Sequence, residues 1–173
     1  QSPFIHSQLG SALSFARDFD GCRRHFEIVQ KLDSHRLEGM DQYSNALFVK
    51  RDKLALGLLA QQCYSVDPFR PESNVVAGNY YAIVRRHDRS LQHFKRAVAI
   101  DPSIVSAWTL MGHEYLEAKN TNAAVAAYRH AIAVSPSDYR PWYGLGQIYE
   151  LLQVYHYALH YYWQTTSLRP NDP

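Results

Sequence analysis

His156 and His160 are four residues apart, the spacing that puts two imidazoles on one face of a helix and can hold zinc. Catalytic zinc takes three protein ligands, and no Cys, Asp or Glu nearby in sequence supplies the rest. The run His113-Glu114-Tyr115-Leu116-Glu117 opens like a zinc-protease helix, but Glu117 stands where the second histidine has to be. Gly144-Leu145-Gly146 opens like a dinucleotide-binding turn and then offers Tyr149 in place of the third glycine. No Ser/His/Asp or Cys/His arrangement stands out. Cys22 and Cys63 read as reduced, buried packing residues rather than a disulfide or a redox pair. The chemistry expected of these residues is therefore not catalysis, and no metal or cofactor is expected.

The residues are positioned by a repeat. Pro68, Pro102, Pro136 and Pro170 lie 34 apart, as do Gly78, Gly112 and Gly146, and Tyr81, Tyr115 and Tyr149. Phe94, Tyr128 and Tyr162 share the register. A period of 34 carrying a Trp-Leu-Gly-Tyr-Ala-aromatic-Ala-Pro pattern resembles the tetratricopeptide repeat (TPR) family, with two antiparallel helices per unit. Five units follow, at 3–36, 37–70, 71–104, 105–138 and 139–172, the first two degenerate. The expected fold is all-α: one α-solenoid over 1–173, a right-handed superhelix of five helix-turn-helix repeats, read as a fragment of a longer array. Its exposed stacking surface is expected around Tyr161, Tyr162 and Trp163.

Each mark has a physical cause. Trp108, Met111, Gly112 and Tyr115 fall on one face of a first helix, and Ala124, Tyr128 and Ala131 on one face of a second. A glycine inside a helix costs up to about 1 kcal/mol relative to alanine, so its recurrence at 78, 112 and 146 indicates close helix packing. Tyr128 is expected to fill the space beside Gly112 and Ala124. The proline ending each unit stops the second helix. Asp67 and Asp101 precede two of these prolines and favour an extended boundary.

The formal net charge of +2 is spread over short clusters (Arg23-Arg24, Lys50-Arg51, Arg85-Arg86), without the basic stripe of a nucleic-acid binder. No apolar run approaches 18 residues, so no membrane span is expected. No secretory signal opens the sequence.

Binding then falls to first-helix residues that are not repeat marks, one, four, eight and eleven positions after each repeat start. These include Glu38, Asp41, Asn45, Asn79, His113, Leu116, Arg140, Tyr143, Gln147 and Glu150. Asn45, Asn79, His113 and Gln147 are equivalent positions, and each side chain can both donate and accept hydrogen bonds. Such a ladder can hold the backbone of an extended peptide.

A narrower resemblance rests on residues outside the TPR pattern. These are Thr109, His113, Glu114, the turn Lys119-Asn120-Thr121, Arg129-His130 and Asp138-Tyr139-Arg140, with the runs Leu37 to Val49 and Val75 to Tyr81 upstream. Here the chain resembles the subunit-eight family of the anaphase-promoting complex (cyclosome), well from Leu37 onward and loosely before it. The resemblance implies a non-catalytic scaffold of an E3 ubiquitin ligase, acting in the cell cycle, in nucleus and cytoplasm. Implied partners are sister TPR subunits, platform subunits and the coactivator. A homodimer is implied for the full-length protein through N-terminal repeats, not for this stretch. Another TPR subunit of the same complex is the main alternative. A co-chaperone clamp would need lysines where Asp41 and Val75 stand. The TPR arm of a glycosyltransferase would need an inner asparagine where Gln8, Gln42, Val76, Leu110 and Gly144 stand.

Overall fold

The computed structural model describes residues 2–169, which form ten α-helices and no strand. Pro170, last of the proline series, lies outside the described residues. Packing divides the chain into two compact units, Gln1–Ile100 and Asp101–Pro173. In the first, α1 (Pro3–Phe15) pairs with α2 (Phe19–Leu32), α3 (Met40–Val49) with α4 (Lys53–Val66), and α5 (Pro71–Ile83) with α6 (His87–Ile100). In the second, α7 (Val105–Glu117) pairs with α8 (Thr121–Val134) and α9 (Tyr139–Leu151) with α10 (Tyr155–Leu168). Each pair occupies one 34-residue unit of the sequence.

The recurrent glycines are seats for aromatic rings. A Cβ on Gly112 would lie 2.5 Å from Cε1 of Tyr128, and one on Gly146 2.5 Å from Cε1 of Tyr162. Gly78 receives Phe94 in the same way, and Phe26 lies against Gly10. Phe26, Phe94 and Tyr128 are fully buried. The expectation that Tyr128 fills the gap beside Gly112 holds. In the α3–α4 pair Ser44 takes the glycine's place and Ala60 the ring's, so no aromatic is seated there.

The second repeat departs from the sequence reading at its start. Leu37 to Gly39 form a turn, and α3 begins three residues later, at Met40. Gly39 adopts φ 81°, and a Cβ there would crowd Phe26 at 3.0 Å and Ser7 at 3.1 Å. Only glycine satisfies both the left-handed backbone and that approach.

The first mark of each later repeat is a clip to the proline before it. Nε1–H of Trp108 donates to the Pro102 carbonyl at 2.9 Å, and that of Trp142 to the Pro136 carbonyl at 3.0 Å. Asn74 does the same through Nδ2 to Pro68 at 3.0 Å.

The turns inside each pair carry a periodicity that the residue types conceal. Arg17, Arg51, Arg85, Lys119 and Gln153, each 34 after the last, have φ of 62°, 56°, 58°, 59° and 60°. The following residue's N–H bonds back to the helix, as Asp18 does to Leu13 and Asn120 to Tyr115, at 2.9 and 2.8 Å. This is the Schellman closure of a helix end. Asp18, Asp52 and Asn120 then cap the next helix, accepting from Gly21, Ala55 and Ala123. One residue thus closes one helix and opens the next.

On α10 the expected exposed trio is not a single surface. Tyr161 stacks on Tyr149 at 5.3 Å and Tyr162 covers Gly146, both turned into their own pair. Trp163 is 64% exposed, beside Tyr155 and Leu159, which are exposed to a similar degree. Cys22 and Cys63 are free and buried, and burial pushes their thiols up to about 11 and about 12.

Candidate protein-binding groove

In the first unit the polar ladder is a bonded network. Asn79 is completely buried on α5. Its Nδ2 donates to Oγ of Ser44 and to Oδ1 of Asn45, both at 2.8 Å. Ser44, on the glycine position of α3, donates in turn to the Asp41 carbonyl at 2.7 Å. Sequence reasoning gave every rung both a donor and an acceptor. The fold instead commits both N–H groups of Asn79 and leaves its buried Oδ1 without a partner. An orphaned buried acceptor is uncommon and costs on the order of 1–3 kcal/mol. Glu38 is not on the first helix at all. It lies in the turn before α3, exposed and ion-paired with Arg36.

In the second unit the hydroxyl of Tyr128 lies 2.7 Å from Nδ1 of His113, with the rings edge to face at 5.4 Å. Burial, with Arg140 adding repulsion, lowers the His113 pKa to about 4, so the imidazole is neutral at pH 7. Burial also raises the Tyr128 phenol well above its ordinary value. The phenol is the stronger acid and donates to Nδ1, which places the imidazole proton on Nε2. Tyr128 is fixed from two sides, because a Cβ on Gly144 of α9 would also come within 2.5 Å of its ring.

Arg140 is held rather than free: its guanidinium grips Asp138 through Nε at 3.0 Å and Nη2 at 2.6 Å, while Asp138 caps α9. Tyr143 is 45% exposed, its ring 5.7 Å from that of Tyr162. The Tyr162 hydroxyl donates to Oε2 of Glu150 at 2.5 Å; burial first, then the Glu150 carboxylate, raises its pKa. Gln147 is half-buried on α9. Leu116, half-buried, packs against the core of Ala124, Tyr128, Leu145 and Ile148.

The structure therefore joins Asn45 to Asn79, and Tyr143 and Glu150 through Tyr162. Sequence reasoning missed Ser44, Tyr128, Gly144 and Tyr162 as partners in these networks. The readable signal was tyrosine at 128 and 162 where 26 and 94 carry phenylalanine, since the added hydroxyl needs a partner. These sites can donate and accept hydrogen bonds at a surface; no nucleophile is paired with a base. Among the described residues no three His, Cys, Asp or Glu side chains gather as a metal cluster would.

Residues 112–153, from within α7 to beyond the end of α9, match the family model for the TPR repeat. The chain is 44% identical over 108 residues to anaphase-promoting complex subunit 8 of Arabidopsis thaliana, covering 62% of this chain and 19% of that protein. It is 32% identical over 100 residues to the cell division cycle protein 27 homolog of Homo sapiens, covering 58% and 12% respectively. The chain thus spans less than a fifth of the length of these relatives. Among solved structures, the anaphase-promoting complex hetero-tetramer Cut9-Hcn1 superposes with a TM-score of 0.83 at 20% identity, over 90% of this chain and 30% of that one. That likeness is one of fold. The described residues fold as tetratricopeptide-repeat helix pairs, and the sequence is similar to that of anaphase-promoting complex subunit 8.

Proposed function

We propose that this chain is part of a non-catalytic scaffold subunit, of the subunit-8 type, in the anaphase-promoting complex E3 ubiquitin ligase. The observation that carries it is the 44% identity to subunit 8 against 32% to the cell division cycle protein 27 homolog. That margin favours subunit 8 over another TPR subunit of the same complex. Sister TPR subunits, platform subunits and a coactivator are the partners, the full-length protein is a homodimer, and ubiquitin transfer is left to other subunits. Nuclear and cytoplasmic placement follows from that role. No described helix is long and apolar enough to cross a membrane.

The 34-residue period runs through Ile100–Asp101 without insertion, which supports reading 1–173 as one repeat domain. Within each unit the first-helix residues are the peptide-facing ones: Asp41 and Asn45 in the first, and His113, Leu116, Arg140, Tyr143, Gln147 and Glu150 in the second. Asn79 supports Asn45 from beneath.

The test is affinity purification of the tagged full-length protein from its own cells, with mass spectrometry. Recovery of cullin-like, RING and TPR subunits in stoichiometric amounts is expected. Recovery of chaperones alone would overturn the assignment.

A further inference from the structure

In the first unit a cleft of about 750 Å3 opens between α4, α5 and α6. Its floor depends on Gly57, where a Cβ would lie 3.0 Å from Cε2 of Tyr80, so the Tyr80 ring rests on the α4 backbone. One wall is aromatic: Tyr81 stacks on His93 at 5.3 Å, and Tyr64 meets His93 edge-on at 6.0 Å. That wall is fixed. The amide nitrogen of Asn74 already donates to Pro68 and Arg70, so its oxygen accepts from Nδ1 of His93, 3.2 Å away. The rim holds Leu54 and Leu58, 76% and 62% exposed and one helical turn apart on α4. Large apolar side chains around a polar-edged cleft mark interaction sites more often than bare surface.

Charge selects the occupant. No carboxylate lines the cleft, whereas Lys53 does, and it has no ion-pair partner among the described residues. The Arg89 guanidinium, outside the lining, lies 5.7 Å from the centroid of the Tyr81 ring. A cation beside an apolar floor, with no carboxylate in the lining, suits a segment that brings both a carboxylate and apolar side chains. A basic peptide would meet Lys53, and nucleic-acid phosphates would meet Leu54 and Leu58. The volume lies within the about 300–1,000 Å3 of sites that bury a ligand.

We propose that the cleft between α4, α5 and α6 docks a short acidic segment of a partner protein. Two of its leucine-sized side chains, one helical turn apart, lie against the Tyr80 ring and against Leu58, and a carboxylate pairs with Lys53.

The test is fluorescence anisotropy with a labelled peptide of about twelve residues, carrying two leucines four apart between glutamates, titrated with the whole chain. The control replaces each glutamate by lysine. The acidic peptide binds saturably, and the basic one about tenfold more weakly, the scale of one or two partly exposed ion pairs. Lys53→Glu weakens the acidic peptide about fivefold and strengthens the basic one. Leu58→Asp, at an exposed position, abolishes binding while circular dichroism stays unchanged. Equal binding of the two peptides, binding of neither, or indifference to Lys53→Glu overturns the proposal. So does self-association that Leu58→Asp removes in a chain that binds neither peptide, which would assign the cleft to a second copy.

Discussion

Tyr128 and His113 form a closed pair, the phenol 2.7 Å from Nδ1 while its ring is confined by Gly112 on one side and Gly144 on the other. Burial, with Arg140 adding repulsion, keeps the imidazole neutral at pH 7, and the bond to the phenol fixes the direction of its remaining N–H.

This has a pH consequence with a definite sign. The His113 pKa falls from 6.5 in a free chain to about 4 in the fold, so between those values only the unfolded chain takes up the proton. Stability is therefore complete above pH 6.5, declines as pH falls toward 4, and loses nothing further from this group below that. The loss is on the order of 3 kcal/mol. His113→Gln should remove that share of the slope when urea midpoints are compared across pH. An unchanged slope would mean that His113 protonates freely in the folded chain.

Gly144→Ala places a methyl where the Tyr128 ring already lies, 2.5 Å from its Cζ. Overpacking of this kind costs about 1–3 kcal/mol, measured as a fall in the thermal or urea midpoint. Adding Tyr128→Leu should recover part of the loss, since the obstacle is the ring. A neutral Gly144→Ala would show that α8 and α9 separate easily.

Arg85 holds φ 58° at no visible benefit to packing, being exposed at the end of α5. Glycine adopts that conformation without the Cβ clash, so Arg85→Gly should raise stability by about 0.5–1 kcal/mol despite the more flexible unfolded chain. Arg51→Gly should behave alike. A destabilised variant would indicate that the arginine side chain contributes to the fold.

The clips to proline differ in depth. Trp142→Phe keeps the ring, removes the bond to Pro136 and leaves that carbonyl to water, costing about 0.5 kcal/mol. Asn74→Leu is harsher, because Asn74 is buried and serves Pro68, Arg70 and His93 together. A loss of about 2–3 kcal/mol is expected in equilibrium unfolding. Equal costs at the two positions would contradict the difference in burial.

The helix pairs were legible because Gly112, Tyr128 and their equivalents are tied to a single contact that repeats with the period. Gly144 was not, since its neighbour Tyr128 belongs to the preceding pair and no local pattern couples them. The left-handed turns escaped notice because arginine and lysine do not announce positive φ as glycine or asparagine would. Glu38 was placed by counting from a repeat start. Counting fails where a turn replaces the first helical residues, and it says nothing about which way a side chain packs. The ladder was half legible: the polar types at 45, 79, 113 and 147 are there, but burial decides which of their atoms remain available.

The turns at Arg51, Arg85, Lys119 and Gln153 are built from peptide groups, with the side chain exposed to solvent. A position whose geometry is specified by the backbone can exchange its side chain without redrawing the hairpin. In a saturation screen these four sites should be permissive for folding, proline and the β-branched residues apart. Any intolerance found there would report what docks on the chain, so the tips of the hairpins can serve as address labels on a frame that is written elsewhere.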